Sequence, residues 1–190
     1  MTTIFAFDTA TAVATCALVR GDELLGERET EARSLLADAD RLLREAGLEP
    51  GELDAVVAGV GPGSFTSIRM GLAAVRGLGL ALDLKAAGVS SLHAFAGGEP
   101  VIDARRGEVF TAGPAVNRPE QLDVVGRRLV GDGAVRYRDV FEAAGADVPP
   151  DDHPDHRPRA HLLVAHVAEW STPDRIEPLY GRQPDAVAKT

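Results

Sequence analysis

A chain of 190 residues has room for one large domain or for two lobes of roughly 95 residues each. Hydrophobic residues at 45% and charged residues at 26% exclude a disordered chain, and a formal net charge of −9 argues against this chain gripping nucleic acid alone, because that affinity comes from Lys and Arg. The single Cys16 excludes an internal disulfide framework, agrees with a reducing compartment, and reads as a small buried hydrophobe. The first residues carry no basic segment and no window offers about 20 uncharged residues, so a cytoplasmic chain with no membrane span is expected.

Apolar runs at residues 3–7 and 12–19, separated by Asp8-Thr9, and a third at 23–29 after Gly21-Asp22 predict three strands joined by tight turns. Across residues 32–46, Leu35, Leu36, Ala39, Leu42, Leu43 and Ala46 recur at helical spacing, with Gly47 as the stop. The continuous run at 54–59 predicts a buried strand, residues 65–82 a long helix after a glycine turn, 85–89 another strand and 90–96 a short helix. This is the element order of an α/β RNase H-like half. Phe7-Asp8-Thr9 before a strand is echoed by Ile102-Asp103-Ala104 before 108–111, which points to duplication. Gly97-Gly98-Glu99-Pro100 then reads as the linker between lobes at 1–97 and 98–190. The second lobe is shorter and proline-rich, with an exposed loop at 145–159.

Chemistry-bearing positions are few. In GVGPGS, residues 59–64, Gly61, Gly63 and Ser64 either cradle an anion at the helix start or form a tight connection capped by Ser64; the Gly-Lys-Ser/Thr ending of a Walker loop is absent. Gly131 and Gly133 in the second-half turn Gly131-Asp132-Gly133-Ala134 present the same pair of readings. Asp8 ends the first strand, where a turn-capping role competes with a functional one. His153 and His156 flank a proline with no Cys nearby, so solvated loop imidazoles are expected rather than a metal site, and His161 and His166 are five apart, off a shared helix face.

The helix at 65–82 carries more apolar surface than one sheet can bury. Arg69 and Arg76 point within about 20° of each other, and the remainder of the circumference is apolar or small. Arg69, Met70, Gly71, Ala73, Ala74, Arg76, Gly77 and Leu78 are therefore expected at a partner interface. The competing expectation is an internal helix covered by the chain's own second lobe.

The stretch GVGPGSFTSIRMGLAAVRGL at 59–78 resembles the signature of the TsaB (YeaZ) family. FDTATAVATCAL at 7–18, GVSSLHAFA at 88–96, IDARRGEVF at 102–110, VGDGA at 130–134 and PLYGRQPDA at 178–186 resemble further landmarks of that family in the same order. The resemblance implies an actin-like ASKHA fold of two RNase H-like lobes, the second reduced. It implies a non-catalytic partner of TsaD, the transferase that places threonylcarbamoyl on the adenosine beside the anticodon of certain tRNAs. An ATPase, TsaE, would dock on that heterodimer, tRNA would be reached only through the complex, and self-association in TsaD's absence stays open. No catalytic residue, cofactor or metal is expected. Asp8 occupies the place of the magnesium carboxylate of actin-type ATPases, but Arg105-Arg106 stand where their second phosphate turn is bare backbone. The first helix lacks the histidine pair through which TsaD holds metal. Two departures are Arg33-Ser34, where the family commonly has His-Ser, and Gly181, where it has Leu. The alternative is an active small-molecule kinase of the same fold with Asp8 as metal carboxylate and GVGPGS as phosphate cradle; a metallopeptidase lacks its metal triad.

Overall fold

The structure is a computed structural model and describes residues 1–113 and 116–181. Pro114, Pro184 and residues 182–186 of the tail motif lie outside the described residues. Strands β1 (Thr3–Asp8), β2 (Ala14–Arg20) and β3 (Glu23–Thr30) form an antiparallel meander, and β4 (Ala55–Gly59) and β5 (Lys85–Val89) extend it in parallel on the far side of β1. The order β3-β2-β1-β4-β5 is the expected RNase H-like one. β1 and β4 are buried throughout, which is why they read as unbroken apolar runs rather than alternating ones.

Parallel strands need crossovers, and two helices supply them. A 3₁₀ turn at Ala32–Ser34 leads into α1 (Leu35–Glu45), while α2 (Phe65–Leu82) connects β4 to β5. Both helices lie on one face of the sheet. Leu35, Ala39, Leu42 and Leu43 of α1 and Ile68, Leu72 and Val75 of α2 share a core with Phe5, Phe7, Cys16 and Val56. Burial pushes the Cys16 thiol up to about 12, so it stays a neutral apolar group.

In the second half, β6 (Glu99–Pro100) and β7 (Ile102–Arg105) flank Val101. This segment pairs antiparallel with β8 (Glu108–Phe110) and parallel with β10 (Leu129–Val130), and β9 (Val116–Asn117) edges β8. The first lobe's order thus recurs, shortened by its last strand. Two short helices follow, α3 (Asp132–Arg136) and α4 (Arg138–Ala143). The expected linker at 97–100 is corrected here: Glu99 and Pro100 pair with Leu129 and Val130, because an extended backbone beside a free strand edge satisfies its polar groups by pairing.

The loop at 145–159 is also less exposed than expected. Val148 joins the second core, and His156 is buried with Nδ1 accepting from the Gly131 amide at 3.1 Å and Nε2–H donating to the Pro149 carbonyl at 3.0 Å. A buried N–H demands an acceptor, which is why this imidazole is a structural pin rather than a solvated one.

The chain then returns to the first lobe. Ala160 and Leu163 cover the second face of the five-stranded sheet against Ile4, Ala6 and Val57, Ser171 exchanges backbone hydrogen bonds of 2.8 and 2.9 Å with Ala86 of β5, and Ile176 enters the first core.

Candidate functional site

The end of β1 meets the glycine turn in a fully buried setting. Asp8 Oδ1 accepts from the Ala10 amide at 2.8 Å, the turn-capping geometry weighed from the sequence, while Oδ2 has no hydrogen-bond partner. Gly59 must be glycine because a Cβ there would overlap the Asp8 carboxyl and reach within 2.9 Å of the Ser91 hydroxyl. Burial pushes the Asp8 carboxyl up to about 6, outweighing the neighbouring Ser91 hydroxyl and the Ala10 amide, which favour its charge.

The turn itself is packed inward. The Gly61 amide donates to Ser91 Oγ at 3.0 Å, the Ser64 amide to the Ala10 carbonyl at 2.7 Å, and the Ser64 hydroxyl accepts from the Ser67 amide as the α2 cap. At Gly63 a Cβ would collide with the Ala10 backbone, and at Gly61 with the Leu179 carbonyl. The glycines therefore allow close approach of backbone to backbone.

The second-half turn is built differently. Arg105 and Arg106 adopt left-handed φ of 64° and 56° before Gly107, a conformation that costs a side-chain-bearing residue roughly 1–2 kcal/mol. Asp103 holds this turn: Oδ1 accepts from the Arg105 amide at 2.9 Å, and Oδ2 faces the guanidinium groups of Arg105 and Arg136 at 3.2 and 3.6 Å. Asp132 Oδ1 accepts from the Asp103 amide at 3.1 Å, and burial first, then the Asp103 charge, raise the Asp132 carboxyl. The Gly131 and Gly133 amides donate to His156 and to the Val101 carbonyl. In this conformation the amides of Gly61, Ser64, Gly131 and Gly133 are all engaged within the fold.

Among the described residues, the long helix α2 is apolar and leaves several large side chains exposed. It is 18 residues long with mean hydropathy 1.2, enough by length and composition to cross a membrane, yet only five of its residues are buried. Its buried face, Ile68, Gly71, Leu72, Val75 and Gly79, lies against the sheet and the returning chain, so membrane crossing does not describe its environment. On the other face Phe65 is 41% exposed, Met70 40% and Leu80 90%, and Arg69, Ala73, Arg76 and Gly77 are exposed beside them. A Cβ on Gly77 would meet nothing within 4 Å.

Of the eight expected interface residues, five share this face: Arg69, Met70, Ala73, Arg76 and Gly77. Gly71 does not. It points into the sheet, where a Cβ would come within 2.7 Å of Thr9 Oγ1, because position 71 shares the arc of Ile68 and Val75. Ala74 and Leu78 are half-buried at the edge of the first core. Among the described residues, the second lobe covers only the edge of α2 along residues 173–180 and leaves Met70, Ala73, Gly77 and Leu80 exposed.

Sequence reasoning missed the segment that borders this face. Residues 173–180 run back along α2, with Pro173 against Gly79 and Tyr180 against Phe65 at a ring-centroid distance of 4.8 Å. Arg69 stacks on Phe65 at 3.9 Å and donates its Nε–H to Tyr180 Oη at 3.0 Å. The groove between helix and strap, about 360 Å³, is lined by Arg69, Leu72, Ala73, Arg76, Pro178 and Tyr180. The only sequence signal was the aromatic residue in the tail motif.

A clasp between the halves was also illegible. Glu27 on β3 accepts from Arg159 Nε at 2.6 Å and from the ring and backbone of His161 at 2.9 and 3.2 Å, and Arg157 pairs with Glu29 at 2.7 Å. Burial raises the Glu27 carboxyl, but the His161 and Arg159 donors more than offset this and hold it below its ordinary range. His166 stacks on His93 at 4.0 Å. Among the described residues no group of three His, Cys, Asp or Glu is arranged to hold a metal.

Known proteins resemble this chain along its length. A family profile described as TsaD, tRNA N6-adenosine threonylcarbamoyltransferase, matches residues 30–143, more than half of the chain. An uncharacterised protein of Mycobacterium tuberculosis is 39% identical over 210 aligned positions, covering 98% of this chain and 94% of that protein. The tRNA threonylcarbamoyladenosine biosynthesis protein TsaB of Bacillus subtilis is 31% identical over 122 residues, 57% of this chain and 53% of that protein. The structure of YeaZ from Pseudomonas aeruginosa superposes with a TM-score of 0.79 at 26% identity, covering 95% of this chain and all of that one. With the two-lobed order and the ordered landmarks already described, these matches settle the family: the chain belongs to the TsaB (YeaZ) family.

Proposed function

We propose that this protein serves threonylcarbamoyladenosine synthesis on tRNA as a non-catalytic partner, binding a TsaD-type transferase through the exposed face of α2 and holding it in a working form. The observation that carries this reading is α2 itself. A surface helix needs one apolar stripe, and this one presents Phe65, Met70, Ala73, Gly77 and Leu80 beyond the stripe the sheet covers. The names of relatives support the process. The boundary between lobes lies near residues 97–98 in this reading, and TsaE docks on the heterodimer in the cytoplasm, with tRNA held elsewhere in the complex. In TsaD's absence the same face leaves a homodimer open.

Chemistry at the two turns favours an auxiliary rather than a catalytic role. The turn amides that a kinase would aim at phosphate are engaged internally, and Arg105 and Arg106 occupy the second turn. Reconstitution tests the proposal: a TsaD homologue, TsaE and threonylcarbamoyl-adenylate are supplied with tRNA, with and without this chain. Modified adenosine should form only when the chain is present, and the chain alone should neither hydrolyse ATP nor modify tRNA. Steady ATP turnover by the isolated chain, abolished by Asp8→Ala, would overturn this reading in favour of the kinase.

A further inference from the structure

We infer that the segment Ala160–His166 is an acid-responsive cover, fastened to the first lobe by an imidazole at each end, and that mild acid releases its C-terminal end while its N-terminal end holds. The segment is a 3₁₀ stretch across the second face of the five-stranded sheet, opposite the face that α1 and α2 occupy. The inference is therefore independent of the docking reading.

Between its ends the segment is fastened by apolar contact alone. Ala160 and Leu163 lie against Ile4 and Ala6 of β1, Ala17 of β2 and Val57 of β4, none of which titrates. Charge enters only at the two ends. At the N-terminal end Arg159 and His161 both donate to Glu27 of β3, at 2.6 and 2.9 Å. Burial raises the Glu27 carboxyl, but the His161 and Arg159 donors override it, so this carboxylate keeps its charge in mild acid. A proton taken up by His161 turns its bond into one between opposite charges, which strengthens it.

The C-terminal end is built the other way. His166 lies on His93 of the turn Ser91–Ala94, with ring centroids 4.0 Å apart and planes 15° from parallel. Among the described residues no carboxylate comes within 4 Å of a nitrogen of either ring; the histidines that meet one are His153 and His161. Neutral imidazoles stack as aromatic rings do, and one proton is tolerated as a cation over a ring face. A second proton sets two like charges against each other. Burial first, then the charge of His166, holds the His93 ring below the ordinary imidazole value of 6.5. The stacked state thus resists a proton that the released state accepts. Its contribution is complete above about pH 6.5 and is lost as the pH falls below that value.

Each end carries its own reporter. The Leu162 amide donates to the Arg159 carbonyl at 3.2 Å, and the Val167 amide to the Val164 carbonyl at 3.4 Å. Solvent exchange of these two amides, corrected for the intrinsic dependence of exchange on pH, is measured by NMR on the whole chain at about pH 7.5 and about pH 5. Val167 should lose about fivefold of its protection in acid, the effect of two unit charges about 4 Å apart in water, while Leu162 keeps its own. Trp170, the single tryptophan, lies just beyond His166 and should shift its emission to longer wavelength over the same range. His93→Phe keeps a ring in the stack without a charge and should leave Val167 equally protected at both pH values. If that variant perturbs the fold, His166→Gln decides: its side chain is exposed, and Val167 should then be weakly protected with no dependence on pH. Unchanged protection of Val167 in the acidified wild type, or the same acid loss in the variants, overturns the inference. Equal loss at Leu162 and Val167 overturns it too, since the whole cover would then lift.

Discussion

The two halves of the molecule each place an aspartate near the end of the central strand, Asp8 as the last residue of β1 and Asp103 two residues before the end of β7, and treat it in opposite ways. Asp8 is fully buried with one carboxylate oxygen unpartnered and its carboxyl raised to about 6 by burial. Asp103 lies beside two arginines and accepts from the amide of a left-handed turn. One repeat has desolvated its carboxylate and the other has paired it with cations. The contrast teaches that a shared strand order fixes where a side chain sits, while the next shell of residues decides its chemistry.

Breaking the first site should have the largest effect. Gly59→Ala drives a methyl group into the Asp8 carboxyl, and a loss of about 3 kcal/mol or more in urea unfolding is expected, since the Asp8 and Ser91 side chains it meets are themselves fully buried. The corresponding change where there is open space, Gly77→Ala in α2, should instead leave stability equal or slightly higher.

Asp8→Asn sharpens the comparison through pH. The folded carboxyl titrates near 6 against 3.8 for an aspartate side chain free in water, so below pH 4 both states hold the proton and burial of Asp8 costs nothing. Between pH 4 and 6 the unfolded chain ionises first and the folded state loses stability; above pH 6 the loss is complete, about 3 kcal/mol. Asp8→Asn should therefore stabilise the protein by up to that amount at pH 8 and leave it unchanged near pH 4. A stability gain that does not vanish in acid would show that the unpartnered oxygen is not the source.

The same substitution in the other half should have the opposite sign. Asp103→Asn removes the charge facing Arg105 and Arg136, both half-exposed or more, and should cost about 1 kcal/mol at pH 7 in thermal or urea unfolding. Arg106→Gly probes the turn itself. Relief of a left-handed φ of 56° should raise stability by about 0.5 kcal/mol, the smallest of these effects, because greater freedom of the unfolded chain offsets most of the gain.

Much of the first lobe was legible because its signals are local. Unbroken apolar runs marked β1 and β4, the stripe from Leu35 to Leu43 marked α1, and Ser64 followed by the apolar run from Phe65 marked α2 with its cap. The five exposed residues from Arg69 to Gly77 followed from helical periodicity alone. Gly71 was misplaced because glycine carries no hydropathy signal to say which arc it belongs to, and only the approach of Thr9 and Phe7 decides.

What the sequence by itself determined about this protein is the element order of the first lobe and the apolar circumference of α2, which rest on short-range periodicity and turn chemistry, and the family landmarks, which rest on resemblance. Tertiary structure alone decided the rest. The bond from Gly131 to His156, the clasp of Glu27 by Arg159 and His161, and the strap that sets Tyr180 against Phe65 and Arg69 join residues 25 to more than 100 positions apart. No spacing rule connects such pairs. They form because a buried donor needs an acceptor, a half-buried carboxylate needs a cation, and an exposed aromatic ring needs a surface, and which group answers is settled only when the chain has folded back on itself.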